Sequence, residues 1–171
     1  IDLNKYFEKM VDIIISRGGV IDKYIGDAIM AFFGAPIKHA DDAYQSVMAA
    51  LEMQETLHVL NKERVEEGKP EFKTGIGINY GVVTVGNIGS EKKMDYTVIG
   101  DMVNLGSRLE GLTKQYQQEV IISESVYRKV RAKLPCRMVD KVQVKGKTQG
   151  ESIYTASITL NDQQKKGWSY H

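Results

Sequence analysis

Two apolar, β-rich runs, Val20–Ile25 and residues 28–33, are separated only by Gly26 and Asp27, and this spacing constrains the fold more than any other feature of the chain. Two residues between strands leave room for nothing but a tight hairpin turn, whose left-handed backbone glycine adopts without strain. The hairpin sets Asp27 at an exposed tip and Lys23 inside a strand. Before it, Leu3, Phe7, Met10 and Ile14 recur at helical spacing up to Gly18-Gly19. After it, residues 41–66 read as a long amphipathic helix with Val47, Ala50, Leu51, Leu57 and Leu60 toward a core.

Residues 73–80 and 82–88 read as a second hairpin about Gly81, followed by a polar loop at 89–93 and a short strand at 95–99. A helix over 101–113 carries Leu105, Leu109 and Leu112 on one stripe. A strand at 120–122, a capped helix over 123–132 and apolar-alternating stretches near 142–144 and 153–158 complete the pattern. The order is not a Rossmann alternation. It predicts an α+β domain over residues 1–160, a mostly antiparallel sheet with helices on one face, and a polar tail at 161–171.

Composition narrows the function classes. The 171 residues, 42% hydrophobic, suffice for one sizeable core. Lys and Arg number 23 against 22 Asp and Glu, a net charge of +1, which provides no strong field for nucleic acid or an anionic membrane. The nearly unbroken apolar stretch at 28–33 falls far short of the ~20 residues of a membrane span, so the chain reads as soluble and cytoplasmic. Cys136 is the single cysteine. It excludes an intrachain disulfide and a multi-cysteine zinc site, and reads as a half-buried thiol. His39, His58 and His171 lack metal-ligand spacing.

Phosphate-loop motifs fail on inspection: Lys141 stands where Gly146-Lys147-Thr148 needs its leading glycine, and Tyr80 stands where Gly75-x-Gly77 needs its third. What remains is a set of polar residues in apolar surroundings. Lys23 reads either as an edge-strand lysine in water or, with Asp27, as part of a site for a phosphate-bearing magnesium ion, since hard cations take oxygen ligands shared with substrate. Thr97 lies between Tyr96 and Val98. Asn104 and Arg108 stand at i,i+4 on the helix face opposite the leucines. That face meets water, a ligand or another chain, and an Arg beside a neutral amide suits the charge of a phosphoryl-transfer transition state.

Three separated motifs then carry a resemblance: residues 21–31 (Ile-Asp-Lys-Tyr-Ile-Gly-Asp-Ala-Ile-Met-Ala) with Phe33-Gly34-Ala35-Pro36; residues 75–81 (Gly-Ile-Gly-Ile-Asn-Tyr-Gly); and residues 95–110, from Asp95-Tyr96-Thr97 through Asn104 and Arg108 to Glu110. In this order they resemble the class III nucleotidyl cyclase catalytic domain, with its ferredoxin-like fold, over nearly the whole chain.

The resemblance implies a head-to-tail homodimer with two active sites, each built from both chains, that forms cyclic AMP and pyrophosphate from ATP. Asp27 matches one of two aspartates that hold a pair of Mg2+ or Mn2+ ions. Lys23 and Thr97 match the positions that read the purine, where lysine goes with adenine. A lysine donor suits the adenine N1 acceptor, and a threonine hydroxyl accepts from the exocyclic amine. Threonine instead of aspartate at the second position resembles a subgroup whose members are often bicarbonate-responsive. Asn104 and Arg108 match the transition-state pair, and Lys145 matches the lysine that grips the triphosphate, although an exposed lysine near Lys147 is the plainer reading of that residue. One departure stands out: the family's first strand, with the other metal aspartate, would precede Ile1, and the expectation is that the protein carries it, together with an upstream regulatory or sensor domain. The rival readings are a guanylyl cyclase, against which Lys23 argues, a pseudo-cyclase that dimerises or binds nucleotide to regulate a neighbour, and a polymerase-like palm, which the neutral charge balance disfavours.

Overall fold

The computed structural model describes residues 2–82, 84–90, 93–143 and 149–158, with Asp2 and the strand segments 84–90 and 93–99 described by backbone alone. The tail at 161–171 and Lys145 lie outside the described residues. The chain divides into two compact units, one formed by residues 1–74 and 87–97, the other by residues 75–86 and 98–171.

In the first unit, helix α1 (Asp2–Ser16) precedes the antiparallel strands β1 (Val20–Ile25) and β2 (Ala28–Phe32), and helix α2 (Asp42–Glu66) follows. The buried stripe of α1 is Tyr6, Met10 and Ile14, while Leu3 is 44% exposed. The expected stripe is therefore corrected at its first position. Tyr6 is drawn inward by aromatic neighbours, Phe7 at 5.4 Å and Phe72 at 6.1 Å between ring centroids, a preference that leucine periodicity alone does not register. Helix α1 ends in a Schellman motif, with Gly19 N–H donating to the Ile14 carbonyl and Gly18 N–H to that of Ile15. On α2, Val47, Ala50, Leu57 and Leu60 are buried as expected, while Leu51 is only half-buried. Two buried amides on the same helix bind the returning chain: Asn61 Nδ2 donates to the Phe72 carbonyl and its Oδ1 accepts from Phe72 N–H, while Gln54 Nε2 donates to the Thr74 carbonyl. These bonds satisfy backbone groups where no strand pairs with them.

The second unit is a four-stranded sheet in the order β3-β6-β8-β7, with β3 (Ile76–Ile78), β6 (Val120–Ser123), β7 (Cys136–Val142) and β8 (Glu151–Ala156). Strand β3 runs parallel to β6, and the other two pairings are antiparallel, so the sheet is mostly antiparallel as expected. Helix α3 (Asp101–Gln115) contributes Leu105 and Leu109 to a core with Ile121, Val142 and Ile153, and Leu112 packs at its margin. Helix α4 (Glu124–Val130) is capped by Ser123, whose Oγ accepts from Val126 N–H.

Among the described residues the second hairpin expected from the sequence is not formed. Strand β3 pairs with β6, and β4 (Thr84–Ser90) pairs with β5 (Lys93–Ile99). The preferred partner of β3 is a strand whose four residues are all buried, and local alternation carries no information about a partner so distant in sequence. Strand β7 also begins earlier than expected. A bulge between Met138 and Asp140 breaks the period-two pattern that would have marked it. Among the described residues no helix is long and apolar enough to cross a membrane.

Candidate active site

The β1–β2 turn is two residues long: Ile25 pairs with Ala28, and Gly26 takes φ +60°, the positive dihedral a type II′ turn demands at its first central position. Asp27 is exposed on this turn. Upstream, the ladder shifts register between Ile21 and Lys23, which makes Asp22 the extra residue of a bulge. The Lys23 side chain is 50% exposed and its Nζ lies 3.6 Å from Asp22 Oδ2, whereas the Asp22 side chain is 0% exposed. The hairpin thus presents a cation and a carboxylate four residues apart, Lys23 and Asp27, on a short, fixed piece of backbone. On α1, burial pushes the Tyr6 phenol above its ordinary pKa, a hydrogen bond with Thr74 opposes that shift, and the charge of Asp27 adds to it.

Asn104 and Arg108 are exposed on α3, while Leu105 and Leu109 of the same helix are buried, so one face is fixed in the core and the other holds the polar pair outward. Two features set where that face lies. Gly77 on β3 touches the helix backbone: a Cβ there would stand 2.6 Å from the Gly106 carbonyl oxygen and closer still to Glu110 N. Only glycine permits that approach. Asn79, just beyond β3, donates from Nδ2 to the Met102 carbonyl in the first turn of α3 at 2.9 Å. Its Oδ1 lies 3.3 Å from Ser125 Oγ, whose single proton is shared between that oxygen and the nearer Tyr80 carbonyl at 2.7 Å. The loop after β3, the start of α3 and the start of α4 are tied together through Asn79 and Ser125. At the other end of α3, Tyr116 Oη donates to Asp140 Oδ2 at 2.5 Å.

The structure brings together Lys23 with Asp27 on one hairpin and Asn104 with Arg108 on one helix face. Thr97 lies in β5, described by backbone alone. Sequence reasoning missed Asp22, Asn79 and Ser125. An acid inside an apolar β run was a visible signal for Asp22, whereas nothing local announced the partners of Asn79. Among the described residues no three His, Cys, Asp or Glu side chains cluster in a way that could hold a metal ion. Asp27 alone offers one hard oxygen donor on a rigid turn, the chemistry that suits Mg2+ or Mn2+ when substrate phosphates supply further ligands. Cys136 takes no part: half-buried, its thiol is pushed up to about 11 by desolvation, which leaves it protonated and inert.

The family model described as the adenylate and guanylate cyclase catalytic domain matches residues 2–157. The chain belongs to this family. It is 45% identical over 161 residues to the adenylate cyclase of Anabaena cylindrica, a match covering 89% of this chain and 31% of that protein. Among solved structures, the cyclase domain is similar to the adenylyl cyclase CyaB from P. aeruginosa, with a TM-score of 0.82 and 35% identity over 94% of this chain and 83% of that one. It is also similar to the guanylyl cyclase Cya2, with a TM-score of 0.78 and 37% identity over 94% and 81% of the two chains. The chain spans less than a third of the length of the first curated relatives it matches.

Proposed function

We propose that this cyclase domain converts ATP to cyclic AMP and pyrophosphate in a head-to-tail homodimer, each site combining the β1–β2 hairpin of one chain with α3 of its partner. The observation that carries the choice of purine is Lys23, a half-exposed cation on the hairpin that also bears Asp27. The first curated relatives are named adenylate cyclases, but the solved structures do not choose, because an adenylyl and a guanylyl cyclase are nearly equally like this chain. The chemistry of the base does: N1 of adenine accepts a hydrogen bond, N1–H of guanine donates one, and a lysine ammonium can only donate.

In the reaction the ribose 3′-oxygen forms a bond to the α-phosphorus as the bond from that phosphorus to the β-phosphate oxygen breaks. The hydroxyl proton is lost, and pyrophosphate leaves with the electron pair. Asp27 would hold an Mg2+ or Mn2+ ion, which when bound would supply Lewis acidity toward the 3′-hydroxyl and the phosphates. The second carboxylate that the family resemblance implies would have to come from outside the described residues. Arg108 donates to the α-phosphate oxygens as charge builds there, Asn104 orients the ribose, Lys145 grips the terminal phosphates, and Thr97 accepts from the exocyclic amine of adenine. The length of the curated relatives supports a regulatory or sensor domain elsewhere in the same protein, and ATP as substrate supports a cytoplasmic site.

The test is competition between ATP and GTP in the full-length protein. Lys23→Glu with Thr97→Cys is expected to lower the ATP:GTP ratio of kcat/KM by roughly ten- to a hundredfold, the cost of replacing a matched buried hydrogen bond. An unchanged ratio would remove both residues from purine recognition.

A further inference from the structure

Asp22 is a carboxylate whose side chain is wholly buried in a two-stranded hairpin, and the proposed chemistry gives it no task. In a regular strand the side chains of residues 22 and 23 would leave on opposite faces. Here the register slips: Ile21 pairs with Ala31 and Lys23 with Met30, so Asp22 has no partner position of its own. Bulges of this kind re-aim side chains and occur beside active sites. The result is that Asp22 Oδ2 stands 3.6 Å from Lys23 Nζ, a buried, fixed anion beside a flexible cation whose outer half meets solvent.

A lysine is a poor reader of a base unless something fixes it, because its four-carbon stem leaves the ammonium free to sample many positions. Thr97, the other proposed purine reader, is uncharged and cannot anchor it electrostatically. Asp22 can, and the ammonium, with three donors, retains others for the base while one faces the carboxylate.

We propose that Asp22 is a specificity-positioning residue, whose buried carboxylate, brought alongside Lys23 by the bulge, holds the lysine ammonium where it meets the adenine edge. The inference rests on the reading of Lys23 as a purine reader, and a double-mutant cycle separates the two. Wild type, Asp22→Asn, Lys23→Ala and the double variant are compared in the full-length protein by the ATP:GTP ratio of kcat/KM. Both substrates are measured on one preparation, so any loss of folded protein cancels from the ratio. Lys23→Ala lowers the ratio about ten- to a hundredfold. Asp22→Asn lowers it about five- to tenfold, Asp22→Glu recovers part of that loss, and Asp22→Asn adds nothing once Lys23 is alanine. A normal ratio in Asp22→Asn, or an equal fall with and without Lys23, overturns the positioning role while leaving Lys23 as the reader. A normal ratio in Lys23→Ala overturns the purine reading and the positioning role with it.

Discussion

The β1–β2 hairpin and helix α3 present their polar pairs by opposite means. On the hairpin, the whole arrangement is local: a two-residue turn places Asp27, one bulge places Asp22 against Lys23, and the elements involved span residues 20–32. Helix α3 specifies which residues share its outward face, but not where that face lies. Its position is set by Gly77, Asn79 and Ser125, residues of β3, the following loop and α4. If the two elements serve one site as proposed, one half rests on local geometry and the other on distant contacts, and each is open to a different kind of damage.

The comparison is sharpest where the chemistry itself is removed. Asp27→Ala and Arg108→Ala should each lower kcat by about 10²–10³, since either change strips one charge from the site, and steady-state cyclic AMP production measures it. Next in size is Gly77→Ala. Its new methyl meets the α3 backbone, so the helix must shift. Urea denaturation should show a loss of about 1–3 kcal/mol, and kcat for ATP should fall about ten- to a hundredfold as Arg108 is misplaced, with KM nearly unchanged under the proposal that the base is read from the hairpin. An equal rise in KM would break the distinction between the two regions.

The smallest effect lies at the far end of α3. The hydrogen bond from Tyr116, helped by the Lys141 backbone N–H, holds the Asp140 carboxyl below its ordinary pKa, and the same bond raises that of Tyr116. A depressed carboxylate stabilises the fold above its unfolded pKa, and that contribution is lost as pH falls through the folded value. A raised tyrosine contributes below its unfolded pKa and loses that contribution as pH rises through the folded one. The latch therefore acts between the two titrations. Tyr116→Phe should move the Asp140 midpoint, followed by NMR, part of the way back up. An unmoved midpoint would mean that Tyr116 is not the cause.

The same contrast explains what the sequence made legible. Gly26-Asp27 between two β runs announced the hairpin because turn chemistry is written in adjacent residues, and the leucine stripe of α3 announced its buried face. The pairing of β3 was misjudged because its partner β6 lies beyond the whole of α3, and an alternating run looks the same whichever strand it joins. The early start of strand β7 was missed because its bulge breaks the alternation that periodicity reads, and Tyr6, outside the expected stripe, is buried while Leu3 is exposed. Asn79 gave no warning, since its side-chain bonds run to Met102 and Ser125, more than 20 positions away.

The central claim, that the hairpin of one chain and α3 of its partner complete each site, is tested by mixing two inactive proteins. Asp27→Ala and Arg108→Ala should each lose most activity, since each dimer then lacks that group in both sites. In a mixed dimer one site collects both lesions and the other receives Asp27 from one chain and Arg108 from its partner. With random exchange about half the dimers are mixed, so activity should recover to roughly a quarter of wild type. If a tag pull-down shows that subunits have exchanged and the mixture stays as inactive as its parents, the sites are not shared between chains.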